Sequence, residues 1–343
     1  MATLHWGIIG TGAIAKTFAH GLTQSKTGKL VAVGSRSQET ADAFGDEYNV
    51  PNRHASYDAL IADEQVQAVY ISTPHPMHPQ WAIKAAEAGK HVLCEKPAAL
   101  NNALAQAMIQ AARENGVLFM EAFMYRCHPQ TAKLVELIRS GVIGQVRMIR
   151  SSFGFGGGDS INPESRIFNN ALGGGGILDV GTYAISGARL VAGAAMGKPF
   201  AEPKKVVAAG RVGETGVDEW TAAVLEFDND IIAQVSTAVR AGLENCIEVV
   251  GASGKITVPN PWVAGRKEAV TGKILVTVKG QTTEYDCPAY GTSFALEADV
   301  VAEAVAAGKQ EAPSPAMTWA DTLGNLAVAD QWRDAIGVVY EAE

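Results

Sequence analysis

Cysteine and long apolar runs are both scarce in this chain of 343 residues. The four cysteines, Cys94, Cys127, Cys246 and Cys287, are widely scattered and form no Cys-x-x-Cys pair. That spacing argues against a disulfide framework or a zinc site and favours reduced thiols. No apolar run approaches the length of a membrane span, and no basic segment followed by an apolar one opens the chain. We therefore expect a cytoplasmic protein without a membrane partner.

Positive charge is also in deficit, with 28 lysines and arginines against 36 acidic residues and a formal net charge of −8. This balance argues against nucleic acid or an anionic membrane as the main partner. Hydrophobic residues make up 47% of the chain and charged residues 19%, which is ordinary for a globular enzyme and too apolar for a disordered chain. The length exceeds what one compact core usually holds, so we expect two domains.

Glycine, in contrast, is plentiful, and one glycine pattern stands near the start of the chain. Residues 4–9 predict a buried strand, Gly10-Thr-Gly12-Ala-Ile-Ala15 follows, and a helix is predicted to about Leu22. The pattern G-x-G-x-x-A between a strand and a helix is a dinucleotide-binding fingerprint, because its glycines allow a tight turn and close approach to a pyrophosphate at the helix N-terminus. The predicted cofactor contacts in this turn are Gly10, Thr11, Gly12, Ala13 and Ile14.

The second predicted strand, Leu30 to Val33, ends at Ser35-Arg36-Ser37 and brings no acidic residue. A cofactor without a 2′-phosphate usually meets an Asp or Glu at this position. Arg36 instead suits a 2′-phosphate, because a guanidinium can hold phosphate with two parallel hydrogen bonds. Ser37 can equally serve as the N-cap of the next helix, and the two roles are compatible. We therefore predict NADP rather than NAD as the cofactor.

Further along, a short apolar strand beginning at His91 runs into Glu95-Lys96-Pro97. Proline cannot donate to a sheet ladder, so the strand ends there and leaves Lys96 at the carboxyl edge of the sheet, where open α/β sheets bind ligands. A lysine so placed can act as an acid, a base or a carbonyl polariser. By itself, the Glu-Lys-Pro tripeptide could also be a surface ion pair on a loop.

The strand predicted at 66–72 ends in a loop that carries two histidines. We predict cofactor contacts from Thr73, Pro74, His75 and His78 in this loop, and from Glu95 and Lys96. The histidines have no cysteine or carboxylate nearby in sequence, so we expect no metal site. Strands and helices alternate with short connections up to about residue 122, which predicts a doubly wound, mainly parallel α/β sheet.

After Pro203 the pattern changes to alternating strands, which predict an antiparallel meander followed by two closing helices. The predicted strands are 206–211, 219–227, 231–239, 245–251 and 274–278, and the predicted helices are 292–308 and about 315–336. Glycines cluster at 154–158 and 173–176, which indicates tight loops or close approach of the backbone to something bound. Phe153 and Phe155 beside the first cluster predict either a flap over a substrate or an aromatic pair in the core.

These motifs together resemble the glucose–fructose oxidoreductase, inositol dehydrogenase and rhizopine-catabolism (Gfo/Idh/MocA) family, in the branch with dihydrodiol and D-xylose dehydrogenases. The resemblance spans essentially the whole chain. It rests on Gly10-x-Gly12-x-x-Ala15, Thr73-Pro74-x-x-x-His78, Gly89-Lys-His-Val-Leu-Cys-Glu95-Lys96-Pro97, Glu121-Ala-Phe-Met-Tyr-Arg126-Cys-His128-Pro, and Arg166 followed by Gly173-Gly-Gly-Gly-Ile-Leu-Asp179-Val-Gly181-Thr-Tyr183.

The resemblance implies a Rossmann domain, at 1–123, followed by an α+β domain with a large open antiparallel sheet, at 124–343, whose last helices pack back on the first domain. One face of that sheet would cover the active site and the other would pair subunits into a homodimer or homotetramer. The resemblance also implies that Lys96 is the catalytic lysine and that Tyr183 is the second proton-transfer group. The chain departs from the family in having Ser165 where a tryptophan usually precedes Arg166.

Taken from the residues alone, Asp179 and Tyr183 are spaced i, i+4 and share a helix face if the helix has begun by Asp179. A tyrosine in such a place is more often a half-buried core residue. A nearby ammonium such as Lys96 would lower the pKa of the Tyr183 phenol and improve it as a proton-transfer partner. We predict Asp179 as a third catalytic residue, Arg166 as a cofactor contact, and Lys96, Arg126, His128, Phe153, Phe155, Asp179 and Tyr183 as substrate contacts.

The function predicted from these residues is an NADP-dependent oxidoreductase acting on a sugar, a polyol or a related cyclic diol. Two other functions remain open on this fold. One is a non-catalytic NADP-binding sensor, which need not keep both Lys96 and Tyr183. The other is a glycosidase that oxidises its sugar transiently and regenerates NAD.

Overall fold

The computed structural model describes residues 3–156, 162 and 164–343. Gly157 and Gly158, which end the first predicted glycine cluster, lie outside these residues.

The first half of the chain forms a six-stranded parallel sheet with helices on both faces, as the sequence predicts. Its strand order is β3-β2-β1-β4-β5-β6. The strands are β1 (Leu4–Ile9), β2 (Gly28–Gly34), β3 (Asn52–His54), β4 (Ala68–Ile71), β5 (His91–Glu95) and β6 (Phe119–Ala122). The helices are α1 (Ala13–Leu22), α2 (Gln38–Tyr48), α3 (Tyr57–Ile61), α4 (His78–Glu87) and α5 (Asn102–Glu114).

Local sequence signals explain where these elements begin and end. The Ser37 hydroxyl accepts a hydrogen bond from the backbone N–H of Thr40 and so caps α2, as the sequence predicts. The Asn101 side chain caps α5 in the same way. Gly89 has a φ of +74° and ends the turn after α4, a conformation that L side chains rarely adopt. Pro97 follows β5 and ends it.

The second half contains an eight-stranded sheet, and its topology differs from the predicted meander. The strand order is β14-β13-β12-β11-β7-β10-β9-β8. The strands are β7 (Val146–Gly154), β8 (Lys205–Val212), β9 (Asp218–Glu226), β10 (Ile232–Ala238), β11 (Cys246–Gly251), β12 (Gly254–Pro259), β13 (Thr271–Val278) and β14 (Gln281–Pro288). Strand β7 lies in the middle, parallel to β10 and antiparallel to β11.

The prediction of one continuous meander is therefore wrong at the centre of the sheet. Strand β7 precedes the other seven in sequence by about fifty residues and separates β10 from β11, which the meander placed side by side. Strands β7, β12 and β14 were not predicted. Such non-local pairing depends on which strand edges are free after folding, and a pattern read along the chain carries no information about that.

Helices cover one face of the second sheet and leave the other open. The helices that pack on its strands are α6 (Pro129–Arg139), α7 (Thr182–Ala195) and α9 (Trp319–Ile336), whereas α8 (Ser293–Ala306) lies against α1 and β2 of the first half. Helix α7 is buried along nearly its whole length and packs on β7, while α8 packs on α1 and α9 on α5. Exposed apolar side chains on the open face are Met148, Val207, Trp220, Val224 and Val250. No helix in the described part of the chain is long and apolar enough to cross a membrane.

Candidate active site

A cavity of about 1200 Å³ lies between the carboxyl edge of the parallel sheet and the second sheet. Residues from widely separated parts of the chain line this cavity. From the first half it is lined by the turns after β1, β2, β4 and β5, and from the second half by β7, the segment around Arg166, the start of α7 and the loops near Asn245 and Val263.

The turn after β1 fits the pyrophosphate of a dinucleotide. Gly10 has a φ of +102°, and a Cβ there would lie 2.8 Å from the Ser72 hydroxyl oxygen, so only glycine suits this close turn. A Cβ on Gly12 would meet nothing within 4 Å, which leaves its backbone open to the cavity. Helix α1 begins at Ala13 without a side-chain cap, and its free N–H groups and dipole favour an anion.

A second observation at this edge also fits a bound cofactor. The hydroxyl of Thr73 is buried, lines the cavity, and has no hydrogen-bond partner among the residues that the structure describes. Buried polar groups normally have partners, so an unpaired hydroxyl facing a cavity indicates a ligand or water in that place. Gly10, Thr11, Gly12, Ala13, Ile14, Thr73 and Pro74 all line the cavity.

Ser35, Arg36 and Ser37, which follow β2, line the end of the cavity that contains the glycine turn. Arg36 is exposed and forms no ion pair with any residue in the described ranges, whereas the Ser35 hydroxyl lies 3.4 Å from the Thr11 hydroxyl and 2.6 Å from that of Thr40. Ser37 is occupied as the cap of α2. The guanidinium is therefore free for a phosphate, and the hydroxyls around it offer further hydrogen bonds.

Lys96, Asp179 and Arg166 form a charge cluster at the other end of the cavity. The Lys96 Nζ donates to the backbone oxygen of Asp179 at 2.6 Å and lies 3.8 Å from its Oδ1. Arg166 Nη2 donates to the same Oδ1 at 2.7 Å. Burial opposes ionisation of Asp179, but the two cations prevail and lower its pKa to about 2. Burial lowers the pKa of Lys96, and Asp179 partly restores it.

Tyr183 lies beside this cluster in an aromatic group. Its ring packs against Phe123 at 4.9 Å and Phe153 at 5.4 Å between centroids, and the Lys96 Nζ lies 5.0 Å from the Tyr183 centroid. The ammonium thus faces the ring. Burial raises the pKa of the phenol well above its usual value, and Glu95 raises it further. The prediction of a lowered pKa for this phenol is therefore wrong, because burial raises it.

The helix has already begun at Asp179, but its first turn is wider than an α-helix. Residues Ile177–Gly181 form a π-helical turn that continues into α7. The backbone N–H of Ile177 donates to Asp218 Oδ2 at 2.8 Å, which fixes the start of this turn. Asp179 and Tyr183 both reach Lys96. A π turn at such a position is frequent at functional sites.

The two histidines of the loop after β4 are buried and held by hydrogen bonds. His75 Nδ1 lies 3.2 Å from the Gly173 oxygen and its Nε2 lies 3.2 Å from Arg166 Nη1, so Nε2 accepts and the ring is neutral. Burial and the Arg166 charge keep the pKa of His75 well below its usual value. His78 lies within 2.9 Å of two backbone oxygens. The described residues contain no metal-binding group of three or more His, Cys, Asp or Glu.

Arg126 and His128, predicted as substrate contacts, lie outside this cavity. Arg126 is buried, and its guanidinium pairs with Asp321 at 2.5 Å and donates to Ser186 and to the Pro315 oxygen. His128 is buried too, and its Nδ1 caps α6 by accepting from the N–H of Gln130. The substrate role predicted for these two residues is corrected, because neither lines the cavity and the Arg126 guanidinium is instead directed to Asp321, Ser186 and Pro315. Both residues instead line a separate cavity of about 380 Å³.

Phe153, Phe155, Glu95 and Arg166 do line the main cavity, together with residues that sequence reasoning missed. Phe153 also stacks on the buried Trp262, at 6.1 Å between centroids and 13° between planes, so it belongs to the cavity wall and to the core. Glu95 accepts a hydrogen bond from the Tyr70 hydroxyl. The missed lining residues include Met124, Asn245, Val263, Arg266 and Phe294. Met124 lies inside the motif that runs from Glu121 to Pro129, although it was not singled out there. The other four belong to no motif, and no local signal could have found them.

The cavity thus combines a glycine turn suited to a dinucleotide with Lys96 and Tyr183, an arrangement that fits an NAD(P)-binding oxidoreductase. Residues 4–123 match the model of the oxidoreductase family with an NAD-binding Rossmann fold, and residues 131–257 match that of the GFO/IDH/MocA C-terminal domain. The chain is 33% identical to trans-1,2-dihydrobenzene-1,2-diol dehydrogenase of Xenopus laevis, over 99% of this chain and 100% of the relative. It is 31% identical to the Mus musculus enzyme of that name, over 98% of each. The chain belongs to the Gfo/Idh/MocA family.

Solved structures of the same overall shape agree with this assignment. A 3-ketoreductase from Actinomadura kijaniata, in complex with NADP and TDP-benzene, superposes with a TM-score of 0.83 at 26% identity, over 97% of this chain and 98% of that one. An aldose-aldose oxidoreductase from Caulobacter crescentus, complexed with glycerol, gives a TM-score of 0.84 at 25% identity, over 97% of both chains. The resemblance noted from the motifs is confirmed, as is a Rossmann fold followed by a domain with a large sheet.

Proposed function

We propose that this protein is an NADP-dependent oxidoreductase that acts on a CH–OH group of a sugar, a polyol or a cyclic diol, or on the corresponding carbonyl. The observation that carries the proposal is the convergence of Lys96 and Tyr183 in a cavity that also contains the glycine turn at Gly10 and Gly12. A proton-transfer pair and a pyrophosphate cradle in one cavity are the two parts that such a reaction needs.

In this proposal the nicotinamide, when bound, accepts or supplies the hydride. The protein manages the proton. In oxidation, the Lys96 amine in its deprotonated form accepts a proton from the Tyr183 hydroxyl, which receives the proton of the substrate hydroxyl in exchange. In reduction, the Lys96 ammonium and the Tyr183 phenol polarise and protonate the carbonyl oxygen. Asp179 holds Lys96 through its backbone oxygen and, with Arg166, positions the ammonium. The high phenol pKa keeps Tyr183 protonated before substrate binds, which suits it as the donor in reduction.

The preference for NADP follows from Arg36. Its guanidinium is exposed at the end of β2, forms no ion pair among the described residues, and lines the cavity near the glycine turn. A 2′-phosphate there would gain charge-assisted hydrogen bonds from Arg36 and the neighbouring hydroxyls. The Actinomadura 3-ketoreductase, which has the same fold, contains NADP.

The hydroxylated substrate class follows from the polar groups near Lys96 and from the relatives. Asp179 contacts both Lys96 and Arg166, Asn245 lines the same cavity, and Phe153 offers a flat apolar surface for a ring. A site built to bind hydroxyls discriminates strongly against substrates that lack them, because its polar groups would stay unpaired. The similar proteins include dehydrogenases of a cyclic diol and an oxidoreductase of aldoses.

We also propose that residues 1–123 form the cofactor-binding domain and that residues 124–343 bind the substrate and join subunits. The open sheet face carries Trp220, Val207 and Val224, which lie on adjacent strands β8 and β9. Contiguous exposed apolar side chains on a sheet favour association. Light scattering with size-exclusion chromatography should give a dimer or tetramer, and Trp220→Glu should reduce it to a monomer.

The test of the proposed function is absorbance at the reduced-nicotinamide band, with NADP⁺ and NAD⁺ in turn and a panel of aldoses, polyols and cyclic diols. Turnover with NADP⁺ and little with NAD⁺ is the expected result. Preference for NAD⁺ would contradict the role of Arg36 alone. Tight binding of NADP without turnover of any substrate would contradict the dehydrogenase and favour a sensor.

A further inference from the structure

The charge of the main cavity is opposite to that of the molecule. The chain carries a formal net charge of −8. The cavity nevertheless is lined by four side chains that are normally cationic: Arg36, Lys96, Arg166 and Arg266. Only two carboxylates, Glu95 and Asp179, line it. A cleft lined by one sign of charge concentrates ligands of the opposite sign. Anions are therefore the favoured occupants of this cavity.

Three of these four cations already have a place in the proposed function. Lys96 and Arg166 both contact Asp179 and so share one carboxylate as their partner within the site. Arg36 lies at the far end, beside the glycine turn, where the cofactor phosphates fit. Arg266 is different. Its guanidinium is exposed and has neither an ion pair nor a hydrogen bond with any side chain or backbone oxygen in the described ranges.

The backbone around Arg266 is firmly anchored on both sides. The indole N–H of Trp262 donates to the Ser152 oxygen at 2.8 Å, and the Trp262 ring is buried against Phe153. The backbone N–H of Ser293 donates to the Gly265 oxygen at 2.8 Å, and the Ser293 hydroxyl donates to the Ala264 oxygen. This loop therefore presents the guanidinium from a fixed position, which lowers the entropy that a ligand must remove on binding.

Arg266 also lies on the substrate side of the reacting groups. It belongs to the second half of the chain, as do Phe153 and Asn245, which line the same wall. Its charge acts on Lys96 and on Tyr183, lowering the pKa of each, so it is close to the reacting end of the cavity. In the proposed function, Arg36 and the α1 N-terminus bind the phosphates of the dinucleotide, so these phosphates do not account for Arg266.

We propose that Arg266 determines specificity by binding an anionic group, a carboxylate or a phosphate, on a hydroxylated ring substrate. The ring would lie along Phe153 and Phe155 with its reacting carbon in front of Lys96 and Tyr183. An unpaired guanidinium binds a carboxylate or a phosphate through two parallel hydrogen bonds, whereas a neutral sugar offers it no charged partner. This inference rests on the proposed function and narrows its substrate class.

The test compares the binding of three matched ligands to the protein saturated with NADP⁺, by calorimetry. The ligands are D-glucose, D-glucuronate and D-glucose 6-phosphate. At least one anionic ligand should bind about 10- to 100-fold more tightly than D-glucose, as expected for a partly exposed charge-assisted pair. The tighter of the two identifies the anionic group as a carboxylate or a phosphate. Equal binding of all three would overturn the proposal.

Two substitutions assign the effect to Arg266. Arg266→Gln should abolish the preference for the anion, measured as the ratio of the dissociation constants of D-glucose and the anionic ligand, and Arg266→Lys should restore part of it. The matched control is Lys267→Gln, which removes the same charge from an exposed neighbour that does not line the cavity and should keep the full preference. An equal loss in both variants would indicate only a general electrostatic effect and would overturn the assignment.

These measurements separate the inference from the function on which it rests. Ligand binding is recorded without turnover, so a protein that binds the anion through Arg266 but oxidises no substrate would contradict the dehydrogenase and not the anion site. If instead neutral sugars are oxidised and Arg266→Gln changes kcat/KM equally for neutral and anionic substrates, the dehydrogenase stands and the role of Arg266 is wrong.

Discussion

The two walls of the main cavity are built in different ways. The first wall comes from four turns that all follow parallel strands, and each turn is a compact motif within a few residues of sequence. The second wall comes from side chains more than a hundred residues apart, such as Phe153 and Arg266, and no short motif unites them. A constant ligand such as a dinucleotide can be held by local motifs, whereas substrate recognition depends on how distant segments pack.

Of the substitutions that test the different roles of the two walls, Lys96→Met should have the largest effect on activity. Lys96→Met removes the ammonium that Asp179 holds, and kcat should fall by about 100- to 10,000-fold, the usual contribution of a positioned acid or base. The dissociation constant for NADP⁺, measured by fluorescence quenching, should change little, because the phosphate contacts lie elsewhere. Lys29→Met, at an exposed position in β2, is the control and should retain full activity. Retention of turnover in Lys96→Met would refute its catalytic role.

Tyr183→Phe tests the corresponding group of the second wall. We expect kcat to fall by about 100-fold or more, because the proton of the substrate then lacks its partner. The ring still packs between Phe123 and Phe153, so the melting temperature should hardly change. Tyr125→Phe serves as the control. Tyr125 packs in the same aromatic group as Tyr183 but does not line the cavity, and its hydroxyl forms a hydrogen bond with the Ser186 hydroxyl. Removal of the Tyr125 hydroxyl should leave kcat unchanged.

Arg36→Gln should change only the binding of the cofactor at the first wall. Loss of charge-assisted hydrogen bonds to the 2′-phosphate should raise KM for NADP⁺ by about 10- to 100-fold. KM for NAD⁺, which has no such phosphate, should stay the same or fall, so the variant changes cofactor preference. Steady-state kinetics with both cofactors measures the ratio. Equal weakening of both cofactors would instead indicate a damaged fold of the β2 turn.

Asp179→Asn should have a smaller effect, on the pH dependence of kcat/KM, because Asp179 of the second wall acts on Lys96 of the first. The Asp179 carboxylate raises the pKa of Lys96 against the lowering effect of burial, so its neutralisation should lower the pKa of Lys96 further. In the oxidation direction the rate rises with pH as the proton acceptor becomes deprotonated. The rising limb of kcat/KM against pH should therefore move to lower pH in the variant. An unmoved limb would show that Lys96 does not titrate in the observed step.

The sequence predicted the first wall of the cavity better than the second, because the first wall is built from local motifs. The fold of the first half, its glycine turn and the position of Lys96 at the edge of the sheet were all predictable, because each depends on residues close in sequence. The second half was predicted as strands and helices, but not in its sheet order. The assignment of Arg126 to the substrate failed for a related reason: its partner Asp321 is almost two hundred residues away.

The sequence by itself determined the parallel sheet, the pyrophosphate turn and the family, since periodicity, glycine conformation and strand-ending proline act over a few residues. It could not determine the insertion of β7 between β10 and β11, the burial that raises the pKa of Tyr183, or the approach of Arg266 to the reacting groups. These depend on desolvation and packing between distant segments. Only the folded chain brings those segments together, and a charge or a phenol takes its properties from the neighbours it finds there.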